Sequence, residues 1–397
     1  MLAIALGTVP GSAPAGAAGS GALIPWAPQS ENPGSNQGPV PPAEAMQDAL
    51  NFNFLTAHVI AYAGQVPAMK AVNPNLKVFA YLNATFAQNS EGGTKWPAQD
   101  YSYDASGKRI RQVQSGNYLM DPSQSDWITN RINQCETDVE QSGYDGCYLD
   151  LLGGAPLGPG FVSATPMNKA TNQPYTRGQW LAATANLAAS IQNAVHAITV
   201  YGHPILVFGN GLSNGPQYYQ PTAPSRMLIG SLDGGIAEAW LRTQNAPVTL
   251  LLTPGQWKLN VNMITAVEAM GKPLLVITKL WVPATQAQQD AWREFALASF
   301  LMGTQGQSAF FFSSGFAIPR TAPLPWYNTA LGSPSGPYTY VQSEGVYQRA
   351  FATGLVLVNV DSKPHTISFG RTYYSLNHQP ITSATMAPTS GLVLTTS

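Results

Sequence analysis

The chain has 397 residues, enough for one large domain plus a small one. Only 10% of them are charged and the formal net charge is −1, against a charged content of roughly 25% in ordinary soluble chains; this gives no sign of the clustered basic surface that nucleic-acid binding needs. Gly, Pro, aromatic and uncharged polar residues fill the space, a composition suited to a neutral polar ligand such as a sugar.

The chain opens MLAIALGTVPGSAPAGAAGSGAL. A short apolar run, then small residues with A-x-A-like sites around Ala15 to Ala18, is similar to the end of a secretory signal peptide without its basic start. Residues 1–20 are set aside from the fold as a leader remnant, and export is expected. No later segment has 18 or more uninterrupted apolar residues, so no membrane span is expected. ALIPWAP then reads as a first strand and PPAEAMQDALNF as a helix entered through prolines. LTAHVIAY reads as a strand, VPAMKAVNPN as a short helix stopped at Pro74, and LKVFAYLNATF as the next strand. Residues 88–118 form a long polar and aromatic insertion.

The following helix has a start signal, with Asp121 as N-cap, Pro122 at N1 and Gln124 at N3 of a capping box. Ile128, Ile132, Cys135 and Val139 then recur at helical spacing, and Gly143 ends the element. GCYLDLLGG is a strand, and residues 153–176 form a second insertion, rich in Gly and Pro. The remaining helices are RGQWLAATANLAASIQNAVHAI, PGQWKLNVNMITAVEAMG and QAQQDAWREFALASFLMGT; the remaining strands are PILVFGNGLSNG, GGIAEAWLR, KPLLVITKLW and SAFFFSSG. About eight apolar strands alternating with helices predict a (β/α)8 TIM barrel over residues 21–330. A doubly wound open sheet is the alternative, but no G-x-G-x-x-G follows the first strand. From Tyr338 the period changes to two, in YTYVQSEG, VYQRAFATGLVLVNV, HTISFG, TYYSL and GLVLTTS. Residues 338–397 therefore predict a small antiparallel β-sandwich domain packed on the barrel.

Barrel chemistry sits at the C-terminal ends of the strands. Alternation puts Tyr148 and Asp150 on one face and Cys147 and Leu149 on the other. The second pair suits the helix layer, which turns Asp150 into the barrel mouth. The same count turns Glu238 inward with Ile236 and Trp240, and sets Tyr81 with Asn83; Asn210 and Lys279 end two further strands. Asp150 and Glu238 are the only strand-embedded carboxylates of this set, and two carboxylates flanking a bond are what glycoside hydrolysis requires. Tyr81, Asn83, Tyr148, Asn210 and Lys279 are candidate substrate-binding residues, with Trp240 and Trp281 as platforms for sugar rings. Cys135 and Cys147 fall in the same layer between helix and strand, where a disulfide is expected; two buried free thiols are the alternative. Neither cysteine has zinc spacing, and His58, His196, His203, His365 and His378 form no H-E-x-x-H pattern, so no metal or other cofactor is expected.

The runs GYDGCYLDLLG, KVFAYLNATF and GGIAEAWLR together resemble a TIM-barrel family catalogued as glycoside hydrolases, akin to the polygalactosaminidase-like barrels. The tail GVYQRAFATGLVLVNVDS resembles the small β domain that follows such barrels, and the resemblance covers roughly residues 45–397. It implies that the strand-four aspartate, Asp150 here, is a catalytic carboxylate. The partnership with Glu238 rests on strand position and parity. The expectation is a secreted, monomeric glycoside hydrolase acting on a polysaccharide or surface glycan, with Asp150 as nucleophile or base and Glu238 as acid.

Blander roles compete. Asp150 has a structural alternative in the amides of the Gly153–Gly154 loop, and Glu238 in Arg242 or Lys279. Asp145 reads as a turn residue, and Trp96, Tyr101 and Tyr103 either stack sugars or pack the first insertion. Two other functions compete as well: a non-catalytic carbohydrate-binding barrel, and a lyase or aldolase using Lys279 as a Schiff-base amine.

Overall fold

A computed structural model describes residues 24–27, 38–88, 95–315, 329 and 331–397; the leader-like segment 1–20 lies outside them. Eight parallel strands close into a barrel: β1 (Ile24–Ala27), β2 (Phe54–Ala57), β3 (Lys77–Asn83), β4 (Gly146–Asp150), β5 (Leu206–Asn210), β6 (Gly234–Ala237), β7 (Leu274–Lys279) and β8 (Ala309–Ser313), each hydrogen-bonded to the next and β8 to β1. The connecting helices are α1 (Pro42–Asn51), α2 (Val66–Val72), α3 (Ser125–Ser142), α4 (Arg177–Val195), the single turn α5 (Gly215–Tyr218), α6 (Pro254–Glu268) and α7 (Gln286–Gly303). Three of them start on Thr-x-x-Gln capping boxes, at Thr176 and Gln179, Thr253 and Gln256, and Thr285 and Gln288. The box expected at Asp121 does not form. Helix α3 begins at Ser125 with no side-chain cap, because Asp121 instead holds Ser123, Tyr175 and Lys169.

The inward face of the barrel follows strand parity. Phe54, Phe79 and Phe208 meet inside it, the last two with ring centroids 4.4 Å apart. A Cβ on Gly234 would stand 2.2 Å from the Phe208 ring, so a glycine on β6 makes room for that ring. At the N-terminal face, carboxylates tie strands to their neighbours through backbone amides: the buried Asp145 to Val78, the half-buried Asp233 to Val207, and the buried Glu268 to Ser308. Asp145 also takes Lys70, Lys77 and His203, so the turn residue of GYDG is a structural ion hub. Cys135 on α3 and Cys147 on β4 form a disulfide with their Cα atoms 5.9 Å apart.

The two insertions zip together at the C-terminal face, through a bridge between Gln112 and Val162 and bonds from Val113 N–H to Phe161 O and Met167 N–H to Tyr103 O. Phe86, Ile110, Leu119, Tyr175 and Trp180 form their own small core, against which Leu151 packs. Six antiparallel strands follow: β9 (Thr339–Val341), β10 (Val346–Phe351), β11 (Gly354–Asn359), β12 (His365–Ser375), β13 (Pro380–Met386) and β14 (Ser390–Thr395), in sheet order β9-β10-β11-β14-β12-β13. One face lies on α7, where Gly391 abuts Ala298 and the Glu294 carbonyl. On the other face, Val346, Leu357 and Leu394 meet Ile367 and Met386 of the β12–β13 hairpin. An irregularity between Ser368 and Tyr373 bends β12 and lets that hairpin fold over the sheet. HTISFG and TYYSL thus belong to one strand.

Candidate active site

Register sets Asn83, Asp150 and Asn210 side by side on β3, β4 and β5, all three facing the interior at the C-terminal end. Asp150 Oδ1 accepts from Asn210 Nδ2 at 2.8 Å and from the Leu151 N–H at 2.8 Å, while Oδ2 accepts from the Tyr81 hydroxyl at 2.7 Å. Leu151 has φ of 60°, the left-handed region that a bulky residue seldom enters. This turn aims its amide back at the preceding carboxylate. The partners of Asp150 are therefore its own following amide and two neighbouring strands, not the Gly153–Gly154 loop. Burial, and next the charge of Glu238, push the Asp150 carboxyl above the ordinary aspartate value, with the bonds from Tyr81, Asn210 and Leu151 opposing the rise.

Glu238 stands just past the end of β6. Its Oε1 accepts from the Tyr148 hydroxyl at 3.1 Å and its Oε2 from Lys279 Nζ at 2.8 Å. Its side chain remains about one-third exposed. Tyr148 and Tyr81 stack with centroids 5.7 Å apart, so the two rings that serve the two carboxylates touch. Burial raises both phenols well above their ordinary value, with the neighbouring carboxylate charges adding to it. Trp281 lies beside Lys279, whose Nζ is 5.0 Å from the ring centroid, and its indole N–H binds Ser313 Oγ.

Two expected assignments change, for Trp240 and for the Arg242 alternative. Trp240 is wholly buried and donates to the Asn260 carbonyl of α6, so it has no surface to offer a sugar. Strand β6 ends at Ala237 and Leu241 takes φ of 66°; alternation does not extend past a strand's end, and Trp240 turns to the helix layer. Asn83 spends its side-chain oxygen on the Thr85 and Phe86 amides, shaping the turn after β3. Arg242 does not pair with Glu238; it is buried over the Trp292 ring, at 4.4 Å from its centroid. In the first insertion Tyr101 is buried, and Trp96 packs edge-on against Trp127, so these rings belong to the insertion's own packing.

Lys279 meets a carboxylate rather than the apolar pocket that a Schiff-base amine requires. His58, one residue beyond β2, lies 6.0 Å from the Tyr81 ring, and burial lowers its pKa. Its signal, a polar residue ending a strand, is hidden because the apolar run continues to Tyr62. The second insertion holds a groove of about 330 Å3 between Leu157, Val162, Tyr175 and Arg177. Among the described residues no group of three or more His, Cys, Asp or Glu could hold a metal ion, and no helix is long and apolar enough to cross a membrane.

Among solved structures, the chain is similar to the noncanonic maltogenic alpha-amylase AmyB of Thermotoga neapolitana, at 10% identity and TM-score 0.51 over 94% of this chain and 95% of that one. That likeness shows the fold. It is also similar to Aspergillus fumigatus Ega3 in complex with galactosamine (12% identity, TM-score 0.42, 75% and 92% of the two chains) and to the glycoside hydrolase domain of Pseudomonas aeruginosa PelA (16% identity, TM-score 0.44, 74% and 94%). No curated protein matched it. The family model described as hypothetical glycosyl hydrolase family 15 matches residues 70–355, more than half of the chain. The chain belongs to that family and is a glycoside hydrolase.

Proposed function

We propose that this glycoside hydrolase cleaves a polysaccharide or surface glycan with Asp150 and Glu238 as its carboxylate pair. The observation that carries the reading is their shared place: Asp150 ends β4 and Glu238 follows β6 at the one face where a barrel does chemistry. The charge of Glu238 is felt at Asp150. The three donors around Asp150 favour its ionised form. Asp150, buried and gripped by three donors, acts as nucleophile or as base towards water. Glu238, more open to solvent, gives its proton to the leaving oxygen as the glycosidic bond breaks. Lys279 and Tyr148 orient Glu238, and Trp281 and His58 flank the sugar. The disulfide supports work outside the cell.

A hydrolysis screen over a panel of polysaccharides, with wild type, Asp150→Asn and Glu238→Gln, tests this. The expected result is a glycan cut by the wild type and by neither variant. Cleavage retained in Asp150→Asn removes the aspartate from the chemistry. Binding of a glycan without any cleavage moves the protein to the non-catalytic class.

A further inference from the structure

An ionised carboxylate has about four lone-pair positions, and three at Asp150 are taken. Oδ1 carries two donors, Asn210 Nδ2 and the Leu151 amide, whereas Oδ2 carries the Tyr81 hydroxyl alone. We propose that Oδ2 is the reacting oxygen of Asp150, and that Asn210 and the Leu151 turn, which clamp Oδ1, and Tyr81, which holds one side of Oδ2, are positioning residues that leave one lone pair of Oδ2 for the reaction. This rests on the assignment of Asp150 to the reaction. In a double displacement, Oδ2 bonds to the anomeric carbon while the bond to the leaving oxygen breaks and Glu238 protonates that oxygen; water later cleaves the ester. In a single displacement, Oδ2 takes the proton of the water whose oxygen attacks, and Glu238 protonates the leaving group in the same way.

The clamp has a local cost that the fold retains. A leucine at φ of 60° is strained. The Leu151 side chain is held in the insertion core with Phe86 and Trp180, and its carbonyl accepts from Thr85 Oγ1 at 2.9 Å. These contacts over-determine the turn. Tyr81 lies across the Tyr148 ring, which fixes its hydroxyl over Oδ2. Tyr81 and Asn210 thus spend on Asp150 the polar atoms that sequence reasoning would have offered to a sugar.

The test uses full-length protein labelled at the aspartate side-chain carboxyl carbon, with the Asp150 signal identified by its loss in Asp150→Asn. Tyr81→Phe and Asn210→Ala each remove one donor to the ionised form, so the Asp150 titration moves to higher pH in both, at unchanged circular dichroism. With the glycan found in the panel, the acid limb of kcat/KM moves by the same amount. Each variant loses about a hundredfold in kcat, as expected for a displaced reacting group, while KM stays within a few-fold. An unmoved Asp150 titration overturns the clamp, as does a rise in KM with the pH profile unchanged, which would return both residues to sugar binding. The titration is read without substrate. A wild type that cuts no glycan therefore counts against the hydrolytic reading, while the clamp is decided separately.

Discussion

An aspartate stands at each end of GCYL, Asp145 just before β4 and Asp150 as its last residue, and replacing each by asparagine separates structure from chemistry. At Asp150, burial and the Glu238 charge raise the carboxyl. The sign follows: a folded-state value above the unfolded one favours the protonated form, so the ionised carboxylate weakens the fold once pH rises through that value. In Asp150→Asn the amide oxygen can take the Oδ1 place and accept from Asn210 and Leu151. Its NH2 then faces the Tyr81 hydroxyl, which can turn and accept. Only the Tyr81 O–H loses its acceptor, so stability should change by no more than about 1 kcal/mol in either direction, while kcat falls about a thousandfold or more. Asp145 gives the opposite result. Its Oδ1 takes Lys70 at 2.8 Å, His203 at 3.0 Å and Lys77 at 3.4 Å, and its Oδ2 takes the Val78 amide at 2.9 Å. An amide there must point NH2 at a donor on one side or the other. Asp145→Asn should therefore cost about 3–5 kcal/mol, the usual loss on breaking a buried ion pair, with kcat per folded molecule unchanged. Urea unfolding followed by tryptophan fluorescence, with hydrolysis of the panel substrate, reads both effects. A loss of stability in Asp150→Asn as large as that in Asp145→Asn would refute the division.

Glu238→Gln should keep turnover of substrates with an activated leaving group, which needs no proton, and lose that of the unactivated glycan by on the order of a hundredfold or more; equal losses on both assign the acid elsewhere. Replacing both Cys135 and Cys147 by Ala should lower unfolding free energy by about 3 kcal/mol on loop-entropy grounds, given their separation of 12 residues; an unchanged urea midpoint would show that the bond does not contribute. Glu294, between α7 and the C-terminal sheet, is pushed up to about 7 by burial from an ordinary 4.5. Its contribution to stability is then complete below pH 4.5 and lost as pH rises to 7. Glu294→Gln should flatten this fall and raise stability at pH 8 by up to about 3 kcal/mol, measured as the difference between urea unfolding at pH 5 and at pH 8.

Rules that act within a few residues were legible without coordinates. Strand alternation turns Tyr148 and Asp150 one way and Cys147 the other, because successive side chains leave a strand on opposite sides. Strand position set Asn210 on the same rim, and alternation predicted the layer in which Cys135 and Cys147 meet. The three Thr-x-x-Gln boxes were equally local and went unread, while the box proposed at Asp121 failed because Tyr175 and Lys169 compete for that carboxylate. Strand β13 was missed because PITSATM is mostly exposed and polar, so it carries little apolar signal.

Tertiary structure decided the rest. Trp240 left the site because β6 ends three residues before it, and where a strand stops depends on its neighbours' length and register. Glu238 pairs with Lys279 and not with the nearer Arg242, since the closed barrel brings β6 and β7 side by side while Arg242 is buried over α7. Tyr81 binds Asp150 across 69 residues of chain. Such partners are chosen by strand order, stagger and the direction of each side chain in a closed sheet. Local patterning determines which residues face inward; only the closing of the barrel decides which of them meet.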